Sequence, residues 1–175
     1  MKNGAYGLFY NFSEDITAVM AAFWRKGVEM KKTEIEALRK IWFGGRPKLR
    51  QGQLWLVNQA EKNGYSESFR GRRFYFYGGE IDKNQALNLP ISSSVGDLMN
   101  DSIAKVSAEI DWNETKILAQ VHDSILMETT QDALPSVAKM VKEVMEQKVQ
   151  IRGREIIFKT DAKIGVNWGE MRSYT

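Results

Sequence analysis

Apolar residues along the chain recur first at helical spacing and later, in its second half, at alternate positions. Ser13 stands as an N-cap before acidic Glu14 and Asp15, and Ile16, Val19, Met20, Phe23 and Trp24 then form a stripe that ends near Gly27. Thr33 and Glu36 have the spacing of a capping box, and Ile35, Leu38, Ile41 and Trp42 continue as a second stripe up to Gly44-Gly45. A third helix is expected from about Leu49 to Asn63, with Gly64 just past its end. After the Gly78-Gly79 break, Ser92 to Ser94 are expected to cap a helix whose inner face carries Val95, Leu98, Met99, Ile103, Val106 and Ile110.

The period then falls to two. Ile117, Ala119 and Val121 alternate with other residues, as do Ile125 and Met127 with Leu126 and Glu128, so two short strands should flank His122-Asp123 as a tight hairpin. Leu134, Val137, Val141, Val144 and Met145 return to helical spacing, and strand-like segments follow at Glu155 to Lys159 and Ala162 to Val166. Helices and strands are partly segregated, which predicts an α+β fold with a small antiparallel sheet.

Composition changes this picture in two places. Charge is nearly balanced at +3, yet Arg46, Lys48, Arg50, Lys62, Arg70, Arg72 and Arg73 crowd a stretch that holds only Glu61 and Glu67 as acids, which makes a local basic surface. The chain has no cysteine, which removes disulfide and thiol chemistry. It shows neither a signal peptide nor an apolar run long enough to span a membrane, so a cytoplasmic protein is expected.

The segment Gln120-Val-His122-Asp123-Ser-Ile-Leu-Met-Glu128 sets an imidazole and a carboxylate at a hairpin tip, where a metal ion could be held. Taken alone, such a pair is ordinary turn chemistry. Its neighbours change the reading. The segment resembles motif C of the family A DNA polymerases, and Lys2 followed by Tyr6-Gly7-Leu-Phe-Tyr10 resembles the latter part of that family's motif B, the fingers helix. Gly64-Tyr65 with Phe69-Arg-Gly71-Arg72-Arg73 resembles its Gly-Tyr and Gly-Arg-Arg segment. Asn88-Leu-Pro90-Ile91 with Gly96-Asp97-Leu98-Met99 resembles its minor-groove helix, and Ile164-Gly165-Val-Asn-Trp168 its closing strand. The order and spacing of these segments run through essentially the whole chain.

The resemblance implies a helical fingers portion over residues 1–63, packed on a palm over residues 64–175 that carries the sheet. Asp123 would be a ligand to two catalytic magnesium ions, and His122 would contact the primer terminus. Lys2 would meet the triphosphate, Tyr6 would lie by the sugar of the incoming nucleotide, and Tyr10 would stack where the templating base enters. Arg72, Arg73, Asn88 and Ser92 would touch the duplex. The implied partners are primer-template DNA and deoxynucleoside triphosphates.

Three positions depart from the usual pattern: Asn11 replaces a Gly, Ser92 a Gln with longer reach, and Ser124 a Glu beside the catalytic Asp. Motif A, with its metal-binding Asp, and the thumb precede Lys2 in the family's order. The expectation is therefore a C-terminal part that is active only with a second polypeptide supplying them, as in a split, phage-like polymerase. The alternative is a non-catalytic DNA-binding or assembly subunit that retains the palm fold.

Overall fold

The computed structural model describes residues 16–174, and its backbone gathers into two compact units that divide between Ser93 and Ser94. Among the described residues no helix is long and apolar enough to cross a membrane.

Among the described residues the first unit begins with three helices: α1 (Thr17–Trp24), α2 (Lys32–Gly44) and α3 (Pro47–Asn63). The capping residue of α2 differs from the sequence expectation. The Glu34 carboxylate accepts from the Lys31 backbone N–H at 2.7 Å, so the helix starts before Thr33, and the Thr33–Glu36 pair does not cap it. Pro47 occupies the first turn of α3, where its missing N–H costs nothing, and Gly64 closes the helix at φ +73° in the left-handed region. Ile16, Val19 and Ile35 form one buried cluster of this unit. Val57 and Ala60 of α3 form a second with Ala86 and Leu87.

Strands β1 (Tyr65–Glu67) and β2 (Arg73–Tyr75) pair antiparallel, with Glu67 opposite Arg73. They lead to α4 (Lys83–Glu109), a helix of 27 residues that runs through the division between the units. The sequence expectation placed its start at Ser92–Ser94, but Asp82 caps it: one carboxylate oxygen accepts from the N–H groups of Asn84 at 2.9 Å and Gln85 at 3.1 Å. Pro90 therefore lies inside the helix. A proline has no N–H for the carbonyl four residues back, which here is that of Ala86. The buried Ser66 hydroxyl of β1 donates to that carbonyl at 3.4 Å, which gives it a donor in place of the missing N–H.

The second unit contains the C-terminal part of α4, strands β3 (Thr115–Val121) and β4 (Ser124–Thr129), helix α5 (Leu134–Met145), β5 (Lys148–Ile151), β6 (Arg154–Ile157), β7 (Ala162–Ile164) and β8 (Arg172–Tyr174). Here β3–β4, β5–β6 and β7–β8 are three two-stranded antiparallel sheets, so with β1–β2 of the first unit the small antiparallel sheet expected from the sequence is four separate ribbons among the described residues. Val106, Ile110 and Val144 are its buried centre, and Ile117, Met127, Met140 and Val141 pack on them from β3, β4 and α5. Burying each such side chain contributes roughly 1.5–3 kcal/mol, so this cluster anchors the base of the β3–β4 hairpin.

Candidate functional site

The candidate residues fall in both units, and each group is built from its own element. In the second unit β3 and β4 run in register from Thr115 opposite Thr129 to Val121 opposite Ser124, which leaves His122 and Asp123 alone at the tip. Thr115, almost fully buried, shares a hydroxyl hydrogen bond of 2.8 Å with Thr129 at the far end of the ribbon. A register shift between Ile117 and Ala119 bulges β3 at Leu118. Such a bulge increases local twist and re-aims the strand beyond it.

At the tip, His122 has φ +54°, the left-handed conformation that two-residue hairpins matched to strand twist require at their first central position. A side chain in that region costs of order 1 kcal/mol, and His tolerates it better than most residues. Two hydrogen bonds brace the turn. The Gln120 amide donates to the His122 carbonyl at 3.3 Å, and the Ser124 hydroxyl donates to the Val121 carbonyl at 2.8 Å. Both His122 and Asp123 are exposed. The tip therefore holds a carboxylate and an imidazole on neighbouring residues beyond the last strand pair.

A hard divalent cation such as magnesium is bound by oxygen donors, commonly one or two carboxylates together with waters and substrate oxygens. Asp123 is a donor of that class. Among the described residues, however, no three His, Cys, Asp or Glu side chains converge on one point. The Ser124 hydroxyl is turned to the backbone, and Glu128 stands opposite Lys116 further down the ribbon. The tip fits one arm of such a site and does not make a complete one.

In the first unit the loop between β1 and β2 is organised by Ser68, whose side chain is 3% exposed. Its hydroxyl oxygen accepts from the N–H groups of Arg70 at 3.3 Å and Arg72 at 3.1 Å. Its carbonyl accepts from Gly71 at 3.0 Å, and Gly71 has φ +87°, a conformation strained for any residue with a Cβ. Arg70 and Arg72 are carried outward on this turn and are exposed. The reading from sequence passed over Ser68; a Ser two and four residues before backbone donors, ahead of a Gly, is the signal that marks it.

Arg72 and Arg73 are adjacent in sequence but differently engaged. The Arg73 guanidinium donates from Nε to Glu67 Oε2 at 3.1 Å and lies 4.7 Å from the centre of the Tyr65 ring. The hydrogen bond to Glu67, followed by one to Tyr75, holds Arg73 above the ordinary arginine value, so it keeps its charge throughout. Tyr65 and Tyr75 themselves pack at 5.3 Å between ring centres. On α4, Asn88 and Ser92 are exposed one helical turn apart, and the Ser92 hydroxyl donates to the Asn88 carbonyl at 2.9 Å. That bond turns the serine hydroxyl back onto its own helix. Lys2, Tyr6 and Tyr10 lie outside the described residues.

Comparison with known proteins places these groups in context. The sequence pattern described as DNA polymerase family A matches residues 1–170. The chain is 28% identical over 137 residues to DNA polymerase I of Deinococcus radiodurans, covering 74% of this chain and 14% of that protein. It is 28% identical over 182 residues to DNA polymerase I of Borreliella burgdorferi, covering 97% of this chain and 19% of that protein. This chain therefore spans only a small part of the length of these relatives. Among solved structures, the POL domain of Pol1 from M. smegmatis, in complex with DNA primer-template and dNTP, is similar with a TM-score of 0.71 and 26% identity, over 83% of this chain and 26% of that one. The chain belongs to DNA polymerase family A.

Proposed function

We propose that these residues form the C-terminal part of a template-directed DNA polymerase, which transfers a deoxynucleotide from its triphosphate to a primer 3′ end. The observation that carries this reading is the exposed carboxylate of Asp123 on a two-residue hairpin tip in a chain of this family. On this reading residues 1–63 belong to the fingers and residues 64–175 to the palm.

Asp123 supplies one carboxylate arm for magnesium, and a motif A carboxylate supplies the other. When bound, the paired ions stabilise the attacking and leaving oxygens of an in-line displacement. On this reading His122, next to Asp123 in the turn, contacts the primer terminus. The exposed Arg70 and Arg72 and the exposed Asn88 of α4 meet sugar and phosphate. Contacts of that kind position DNA of any sequence. By the family resemblance, Lys2 meets the triphosphate as a point charge, and Tyr6 and Tyr10 line the nucleotide and the templating base.

The motif A carboxylate and the thumb come, on this reading, from polypeptide outside these 175 residues, with a second chain as the specific form. Primer extension tests it. The 175-residue chain alone should not extend a primed template with magnesium and nucleotides, and the complete assembly should. Asp123→Ala in that assembly should lower extension by at least about a hundredfold while DNA binding persists, since removing one precisely placed charge-stabilising group costs on that order. Survival of full activity would exclude Asp123 from catalysis and favour a non-catalytic DNA-binding subunit.

A further inference from the structure

We infer that the exposed face of α3 is a binding surface for single-stranded nucleic acid. Lys48, Gln51, Trp55, Asn58 and Lys62 follow one another at intervals of three or four residues along this helix, and all are exposed. They form one stripe. At 1.5 Å per residue it runs about 21 Å from Lys48 to Lys62. Trp55, at its middle, is 42% exposed. It stands between two lysines and two amides on a helix whose opposite side is fully buried at Val57 and Ala60.

The charge around the stripe is of one sign. Between Ala37 and Ala60 there are five Lys and Arg and no Asp or Glu. Of the acids that flank this stretch, Glu36 is exposed on α2, while Glu61 pairs with Lys83 at 3.4 Å and Glu67 with Arg73 at 3.1 Å. Three arginines sit on the aromatic rings of α2 where it meets α3. Arg46 lies 3.9 Å from the Trp42 ring centre, and Arg39 and Arg50 lie 5.8 and 5.5 Å from that of Phe43. This fixes positive charge at the start of the stripe with little rotamer freedom left to lose. Up to Ser93 the sequence carries 15 Lys and Arg against 9 Asp and Glu, a net charge of +6.

A polyanion is the complementary partner, and Trp55 selects its form. An indole on a convex helix face can stack on an unpaired base, whereas a duplex presents no base faces to it. Lys48 and Lys62 then meet phosphates on either side, and Gln51 and Asn58 offer both donors and acceptors to base edges. This surface belongs to the first unit, does not include Asp123 and does not depend on the polymerase reading.

Fluorescence anisotropy with a labelled oligothymidylate, and with a blunt duplex of equal length, tests it in the complete assembly that contains this chain. Trp55→Ala should weaken oligothymidylate binding about tenfold and duplex binding less than twofold, and Trp55→Phe should restore most of the loss. Lys48→Ala with Lys62→Ala should flatten the salt dependence of oligothymidylate binding by about 0.7 per lysine. This double variant reads the surface even if Trp55→Ala fails to fold by circular dichroism. Unchanged oligothymidylate affinity in either folded variant, equal losses on both probes, or an unchanged affinity with a shift in oligomeric mass would overturn the inference, the last by making the stripe a protein interface. Loss of extension in Asp123→Ala has no bearing on these readouts.

Discussion

The two arginines of the β1–β2 loop show how neighbouring residues of one type can take different work. Arg73 is opposite Glu67 in the strand register, donates to it and covers the Tyr65 ring, so its side chain already has partners that hold the ribbon together. Arg72 follows the glycine turn and is exposed. Arg72→Ala should weaken primer-template binding and reduce its salt slope by about 0.9, the value for one phosphate contact on duplex DNA. Arg73→Ala should instead lower the thermal midpoint and leave that slope nearly unchanged. Titrating DNA binding against salt for both variants separates the two; equal changes in slope would show that Arg73 also reaches phosphate. The sequence marked both arginines because a Gly-Arg-Arg string is visible in one dimension. Which of them is taken up by Glu67 depends on strand register, which no local pattern specifies. The same holds for Ser92, whose hydroxyl is spent on the Asn88 carbonyl.

Elements were legible where their period was long or their ends carried special residues. Gly64 closes α3 as the sequence indicates, and the alternation around His122-Asp123 yields the two-residue tip. Strands β1, β2 and β8, of three residues each, are too short to show a period, and none was readable in advance. The serine run Ser92–Ser94 offers caps to the eye, whereas Asp82 caps α4 ahead of Pro90. Proline normally marks a helix boundary, but Ser66 from a separate element satisfies the carbonyl that Pro90 leaves open. This makes a coupled prediction. Ser66→Ala should cost about 1–2 kcal/mol in urea unfolding, because the Ala86 carbonyl is then buried without a donor. In a Pro90→Ala background the helix supplies its own N–H, and Ser66→Ala should cost under about 0.5 kcal/mol. Equal costs in both backgrounds would show that the serine acts by some route other than that carbonyl.

Across the whole molecule, charge divides with the compact units. From Ser94 onward 10 Lys and Arg face 13 Asp and Glu, a net charge of −3, against the +6 of the preceding part. The proposed phosphate contacts gather in the positive part and the proposed metal-binding carboxylate lies in the negative part, as the two ligands require. The second part therefore meets acid with more carboxylates than cations, and one of them is specifically stabilised in its ionised form. Glu146, at the end of α5, accepts from the Thr160 backbone N–H at 2.9 Å and from Lys159 Nζ at 3.0 Å. First the Thr160 bond and then Lys159 hold its carboxyl below the ordinary glutamate value. Because the folded value lies below the unfolded one, the contribution is complete above the unfolded value. It declines as pH falls through the usual carboxylate range and is gone below the folded value. Glu146 ties the end of α5 to the segment after β6, so the loss should appear as loosening of that corner. Glu146→Gln removes the charge, and with it this pH dependence. Thermal melts from neutral pH downward should show wild type more stable than Glu146→Gln at neutral pH, with the two curves converging in acid. A gap that stays constant with pH would mean that the side chain contributes through its neutral hydrogen bond alone.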